Sequence, residues 1–324
     1  MIVKVGIVGC GGIGNWHAGH LEQMDDVKIT ATCDIIPERA ERLAKRFGAT
    51  PYTAHLDMYE KEDLDAVFIG IPPGSHTDEE IVAAKKGIHI FVEKPMAVSM
   101  ELAHKVNDTI EKAGIVSAVG FQTRYLDVMD NLVSFLKSRQ VGLFTGAFVG
   151  GIPPVPWWRV KKESGGQIVE QCIHIFDLAR LLFGEVTTVY SQAGKGIMQG
   201  IENYDVEDYS STMLTFENGV VGNIITGDYL KGAVPRNGLE IYCEDARVEY
   251  IMGQAVRYSS RQSIREEKRA IDPGMRSDRT FINAVKANDP TMVRSPYKDA
   301  LRTLAVTLAA NESFASNRPI EVEY

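Results

Sequence analysis

Apolar positions in the first 120 residues come in short runs without clean alternation. They are Ile2–Val8 (IVKVGIV), Val27–Cys33 (VKITATC), Asp65–Ile71 (DAVFIGI) and the segments IHIFV and IVSAV. Such runs read as strands buried on both faces of a sheet. Helices are expected between them. One follows the glycines after Val8; PERAERLAKRFG carries Pro37 in its first turn and Gly48 past its end. Ser75–Lys86 is closed by Gly87, and Ser99–Ala113 by Gly114. Strand, helix, glycine, strand in repetition predicts a parallel, doubly wound sheet with helices on both faces.

After about Phe121 the rhythm changes. LFTGAFVG, VTTVYSQA, DYSSTMLTF, VVGNIITGD, LEIYCE, ARVEYI and QAVRYSS are rich in β-branched and aromatic residues, and Asn218-Gly219 marks a hairpin. Helices are expected at Gln167–Phe183, Ser277–Ala287 and Pro296–Ser316. Strands grouped without regular intervening helices predict an α+β domain built on a large, mostly antiparallel open sheet. The expected division is an α/β domain over residues 1–121 and an α+β domain over residues 122–324.

The glycines after the first strand give this architecture a chemical meaning. Gly9, Gly11 and Gly14 spell G-x-G-x-x-G between a strand and a helix, with Gly12 and Ile13 inside the motif, and Asp34 ends the second strand 20 residues later. This is the Rossmann dinucleotide fingerprint: a tight turn, a close approach for the pyrophosphate, and close helix–strand packing. The helix N-terminus, with its partial positive charge, would receive the phosphates. Asp34 can accept from a ribose 2′-hydroxyl and would repel a 2′-phosphate, so NAD is favoured over NADP.

Composition narrows the partners. With 324 residues two domains are expected, and a formal charge of −8 argues against nucleic acid or an anionic membrane surface as partner. No apolar run reaches the roughly 18 residues of a membrane span, and the apolar start lacks a basic flank and a cleavage site. Cys10, Cys33, Cys172 and Cys243 have no metal or redox spacing and read as reduced, mostly buried thiols of a cytoplasmic protein. His17 and His20 lie three apart on a predicted helix with no third ligand in view, so they read as a structural pair and no metal site is expected.

Five segments in order, GCGGIG, PPGSHTDEEIVAAKKGIHIFVEKP, GFQTRY, GGQIVEQCIHIFDLARLLFGE and ALRTLAVTLAANESFASNRPIEV, resemble the glucose-fructose oxidoreductase/inositol dehydrogenase/MocA family over nearly the whole chain. The resemblance implies a Rossmann domain followed by an open-sheet domain that builds a homodimer or homotetramer, with the active site in the cleft between the domains. It implies a nicotinamide-dependent oxidoreductase acting on a secondary alcohol of a sugar, polyol or related cyclic compound. Relatives that cleave glycosides by transient internal redox, or that serve as NAD-responsive regulators, mark the alternatives.

The family's E-K-P motif falls on Glu93, Lys94 and Pro95, and the resemblance makes Lys94 the residue that contacts the reacting oxygen and helps orient the nicotinamide. If its strand continues through Lys94, successive side chains alternate in direction, so Glu93 and Lys94 do not simply pair. His174 matches the family's acid/base histidine, a residue type whose ordinary pKa lies near working pH. Glu170, four residues earlier, stands where the family commonly has aspartate and would orient His174 or the substrate; Asp177 lies three residues after His174. Ser75 and His76 are expected near the nicotinamide, though Ser75 also suits a helix cap. Arg124, in GFQTRY, is expected to open the second domain. Trp157, Trp158 and Arg159 sit on a predicted loop where tryptophan faces can stack on a sugar ring.

Overall fold

The structure is a computed structural model and describes residues 1–324. The chain forms two compact units. The first comprises Met1–Tyr125 and Asp272–Leu301, the second Leu126–Ile271 and Arg302–Tyr324. Residues 272–301 therefore pack with the first unit, whereas the change of rhythm at Phe121 had placed everything beyond it in the second. The reason is visible in the core: Phe281, Ile282, Ala284 and Val285 share one apolar cluster with Val3, Val5, Ile7, Phe68 and Phe91.

In the first unit, β1 (Val3–Val8), α1 (Gly12–Leu21), β2 (Val27–Cys33), α2 (Pro37–Phe47), β3 (Thr50–Tyr52) and α3 (His55–Lys61) are followed by β4 (Ala66–Ile69), α4 (Glu79–Lys85), β5 (His89–Val92), α5 (Met100–Ala113) and β6 (Ser117–Val119). The strands are all parallel, in the order β3-β2-β1-β4-β5-β6. The order reverses between β1 and β4, and ligands of such sheets bind outside the carboxyl ends of strands at that point. Two local expectations change. Helix α4 starts at Glu79, because Pro73–Ser75 forms a separate short turn and His76 is extended, so Ser75 does not cap it. β5 ends at Val92, so the strand does not continue through Lys94.

The second unit contains α6 (Asp127–Lys137), β7 (Val141–Val149), α7 (Lys161–Ser164), α8 (Gln167–Glu170), α9 (Ile173–Phe183), β8 (Val186–Gly194), β9 (Tyr209–Phe216), β10 (Val221–Gly227) and β11 (Arg236–Cys243). β12 (Arg247–Ile251), β13 (Ala255–Ser259) and β14 (Ile264–Lys268) follow; α10 (Pro273–Ala287) belongs to the first unit, α11 spans Tyr297–Ser316, and β15 (Ile320–Glu321) is the last element. The nine-stranded sheet runs β14-β13-β12-β11-β7-β10-β9-β8-β15 and is antiparallel except between β7 and β10. β9 alternates strictly between exposed and buried positions, the mark of a sheet with one face on the core. On the other face Tyr242, Leu143 and Val221 stand side by side across three strands, each more than a third exposed.

Candidate active site

The glycine loop closes against the sheet by two tight approaches. Gly9 has φ +87°, and a Cβ there would lie 2.3 Å from the carbonyl oxygen of Gly70 at the end of β4. A Cβ on Gly14 would lie 1.9 Å from the carbonyl oxygen of Gly9, so this glycine sets how closely α1 packs on β1. Gly11 and Gly12 differ, since a Cβ at either would meet nothing within 4 Å. The protein's own packing does not require glycine at these two positions, whereas a pyrophosphate passing over the loop would. Gly11 is the N-cap of α1 and has no side chain to satisfy the first amides of the helix. Ile13, 39% exposed, lies beside Gly70.

Asp34 braces the loop from β2. Its Oδ2 accepts from the Cys10 amide at 2.8 Å and its Oδ1 from the Ile36 amide at 2.9 Å. A carboxylate has lone pairs beyond these two, so Asp34 can still receive a ribose hydroxyl. Asn15 Nδ2 ties the carbonyls of Cys10 and Gly11, each at 2.8 Å. The fingerprint residues thus fit a dinucleotide. Cys10 and Cys33 beneath the loop are buried, and burial together with the Asp34 charge pushes each thiol up to about 12, out of nucleophilic range.

At the next strand ends the Glu93 amide donates to Ile69 O at 2.8 Å and the Gly120 amide to Val92 O at 3.0 Å. Lys94 follows Glu93, and the Lys94–Pro95 peptide is cis. The Glu93 carboxylate turns inward: Oε1 meets His17 Nε2 at 3.0 Å and Oε2 accepts from the backbone amide of Lys94 at 3.1 Å. His76 is also buried, with Nδ1 2.5 Å from Glu80 Oε1. Burial opposes its charge, but the Glu80 carboxylate outweighs burial and raises its pKa. Ser75 is exposed on the preceding turn. Arg124 lies within the first unit: it is buried, donates to Arg294 O at 2.9 Å and pairs with Asp299 at 2.5 Å.

The pair His17 and His20 gains a partner that the sequence did not reveal. Asp278, on α10, is fully buried; its carboxylate lies 2.9 and 3.0 Å from His17 Nδ1 and 2.7 Å from His20 Nδ1. The three form a compact cluster of potential metal-ligand atoms. Both ring nitrogens of His17 face carboxylates, so both donate and the ring is an imidazolium. Burial works against this charge, but Asp278 and Glu93 together outweigh it and raise the pKa to about 10. The native state therefore holds a proton that the unfolded chain releases. Its stabilisation is complete below about 6.5 and is lost as pH rises through about 10. The denaturation midpoint is expected to fall across that window in the wild type and to fall less in His17→Gln. Equal slopes would show that His17 does not carry the proton.

In the second unit the expected helix Gln167–Phe183 is interrupted. The Gln171 and Cys172 amides both reach Gln167 O, at 3.2 and 2.9 Å, the second across five residues, so α8 and α9 are separated by one wide turn. Gly165 and Gly166 precede α8 with positive φ, and Gly166, at φ 85° and ψ 177°, occupies a region open to glycine alone. Glu170 and His174 therefore do not share one uninterrupted helical face. Glu170 Oε2 accepts from the Trp158 indole N–H at 2.9 Å. Trp158 is completely buried and offers no face to a sugar ring, while Trp157 and Arg159 are half-buried. His174 is 8% exposed. Asp177 is fully buried and accepts from Thr303 Oγ1 at 3.0 Å, and Thr303 in turn accepts from Arg180 at 2.7 Å.

Residues 3–121 match the family model described as "Oxidoreductase family, NAD-binding Rossmann fold", and residues 140–249 match the GFO/IDH/MocA C-terminal domain. Among similar proteins, scyllo-inositol 2-dehydrogenase (NAD(+)) of Bacillus subtilis is 25% identical over 334 residues, covering 99% of this chain and 96% of the relative. Myo-inositol 2-dehydrogenase of Thermotoga maritima is 25% identical over 338 residues, covering 99% of each. A levoglucosan dehydrogenase solved with NADH and levoglucosan shares the fold with a TM-score of 0.90, at 21% identity and full coverage of both chains. No helix is long and apolar enough to cross a membrane. The fingerprint at the sheet's switch point and the two family matches agree: the chain belongs to the Gfo/Idh/MocA family of NAD-binding oxidoreductases.

Proposed function

We propose that this chain is an NAD-dependent dehydrogenase acting on a secondary alcohol, or the matching ketone, of a sugar, polyol or related cyclic compound. The observation that carries the reading is the glycine loop. Gly9 and Gly14 are closed off by backbone, Gly11 and Gly12 stand open between them, and the Asp34 carboxylate lies alongside. The bound cofactor would accept or return the hydride. Gly9, Gly11, Gly12, Ile13 and Gly14 would line its pyrophosphate, and Ser75, His76 and Glu93 would flank its nicotinamide end. Asp34 favours NAD, because its anion repels a 2′-phosphate. The names of the inositol and levoglucosan dehydrogenases support a polyhydroxylated ring as substrate.

In this reading Lys94 hydrogen-bonds the substrate oxygen and stabilises developing alkoxide character. His174 takes the hydroxyl proton during oxidation and returns it during reduction. Glu170, steadied by Trp158, orients His174 or the substrate. Trp157, Arg159, Arg124 and Asp177 complete the proposed substrate residues. The buried positions of Arg124 and Asp177 favour a supporting role over direct contact. The apolar row Tyr242–Leu143–Val221 supports assembly as a homodimer or homotetramer through the open sheet.

Mixing the protein with NAD or NADP and a panel of inositols, anhydrosugars and sugars tests the proposal through reduced-nicotinamide absorbance. Growth of that absorbance with NAD, and much less with NADP, is expected for at least one cyclic polyol or sugar. Silence across the panel, together with release of a leaving group from a glycoside panel, would replace the reading with internal-redox cleavage. His174→Gln is expected to keep NAD affinity and lose roughly a hundredfold or more in kcat, the scale of a general base. A loss below tenfold would remove His174 from the chemistry.

A further inference from the structure

The buried pair His17 and Asp278 has no role in the chemistry proposed above, yet through Glu93 it ends on the peptide of Lys94. We propose that His17, donating from one ring nitrogen to Asp278 and from the other to Glu93, is a positioning residue that fixes the backbone of Lys94. This inference rests on the reading of Lys94 as the residue that meets the substrate oxygen.

The geometry runs in one direction. Asp278 is fully buried on α10 and engages His17 through both carboxylate oxygens. His17 is 2% exposed and passes this anchorage to Glu93 Oε1. Glu93 then holds the Lys94 amide through its other oxygen. Gly120 completes the clamp, because a Cβ there would lie 2.4 to 2.7 Å from the Glu93 carboxyl atoms. The carboxylate is thus seated directly on the backbone of the neighbouring strand end, and nothing larger than glycine would let it sit there. Lys94 lies beyond the last residue of β5, and its amide donates to the Glu93 carboxylate.

The surroundings argue against a purely stabilising role. The His17 ring lies 5.2 Å from Phe68 and 5.0 Å from Phe91, ring centre to centre, in an aromatic cluster that Phe281 completes. A cation and two carboxylates in such a place carry a desolvation cost that an apolar trio of the same volume would avoid. What the ionic group supplies instead is direction: two hydrogen-bonding atoms on opposite sides of a rigid ring set the distance from α10 to Glu93. A residue that only filled the core would not need both.

Two readouts on His17→Gln test this. One is amide hydrogen exchange at Lys94 in the cofactor-free protein, read by mass spectrometry on peptides spanning the motif. The other is steady-state kinetics with NAD and the polyol that the wild type turns over. Exchange at Lys94 is expected to accelerate at least tenfold, beyond any change in the β5 amides. kcat is expected to fall ten- to a hundredfold with KM for both ligands within about threefold. The double variant His17→Gln/Glu93→Gln should be no worse than the more damaged single variant, as expected for residues acting in series. Unchanged Lys94 exchange, or an unchanged kcat in the folded variant, would overturn the proposal. Should His17→Gln fail to fold, the isosteric Asp278→Asn carries the same comparison. If Lys94→Met retains turnover, the reading of Lys94 has failed, while the exchange measurement still decides whether the clamp exists.

Discussion

Lys94→Met is expected to lower kcat by about a thousandfold while NAD affinity stays within a few-fold. Methionine keeps the unbranched stem and most of the volume and removes only the cation. The segment that presents Lys94 should survive the change, because Met96 and Ala97 just beyond the motif are buried and Glu93 is held by the Ile69 carbonyl and by His17. NAD would rest mainly on the glycine loop and Asp34, which the substitution leaves alone. What is lost is the one charge assigned to the oxygen whose carbon gives up hydride. A charge-assisted hydrogen bond to developing alkoxide is worth more in the transition state than in the ground state, so the loss should fall on kcat more than on KM. Calorimetric titration with NAD and reduced-nicotinamide absorbance measure the two halves separately. Turnover within tenfold of wild type would remove Lys94 from the chemistry. Loss of turnover and NAD binding together would make it chiefly a cofactor contact.

The parallel sheet was legible because β1, β4 and β5 are buried almost throughout and are spelled by continuous apolar runs. The open sheet was legible in β9 and β10, where Asn218-Gly219 makes the hairpin with Gly219 at φ 85°. Of the features that were not, three show the reason. Asp278 is 261 residues from His17, and no local pattern announces a carboxylate that returns on a later helix to meet an earlier one. The break between α8 and α9 arises where Cys172, fully buried, and Gln171 share the Gln167 carbonyl, while the sequence there keeps a helical composition. Trp158 read as a binding-loop aromatic because its partner, Glu170, lies 12 residues on. The first and third misses are side-chain bonds between segments apart in sequence, and the second is a backbone bond that slips by one residue. Periodicity reports which face of an element is buried, not what that face meets.

Gly14→Ala and Gly11→Ala, two substitutions of one methyl group three residues apart, are expected to fail in opposite ways. At Gly14 the new Cβ would lie 1.9 Å from the Gly9 carbonyl oxygen and 3.4 Å from an Ile7 methyl. The obstacle is backbone and cannot rotate aside, so α1 must move off β1. That places the cost at about 3 kcal/mol or more, the upper range for overpacking. The helix end moves with it, so NAD binding should be lost as well. At Gly11 a Cβ meets nothing within 4 Å, and φ −74° suits alanine, so stability should change by about 1 kcal/mol at most. NAD affinity should nevertheless fall at least tenfold, because the methyl group would occupy the space through which the pyrophosphate approaches. Denaturant midpoints and NAD titration on the two variants separate a glycine required by the fold from one required by the cofactor. If Gly11→Ala bound NAD as tightly as the wild type, the phosphates would not pass over this residue, and the opening beside it would need another occupant.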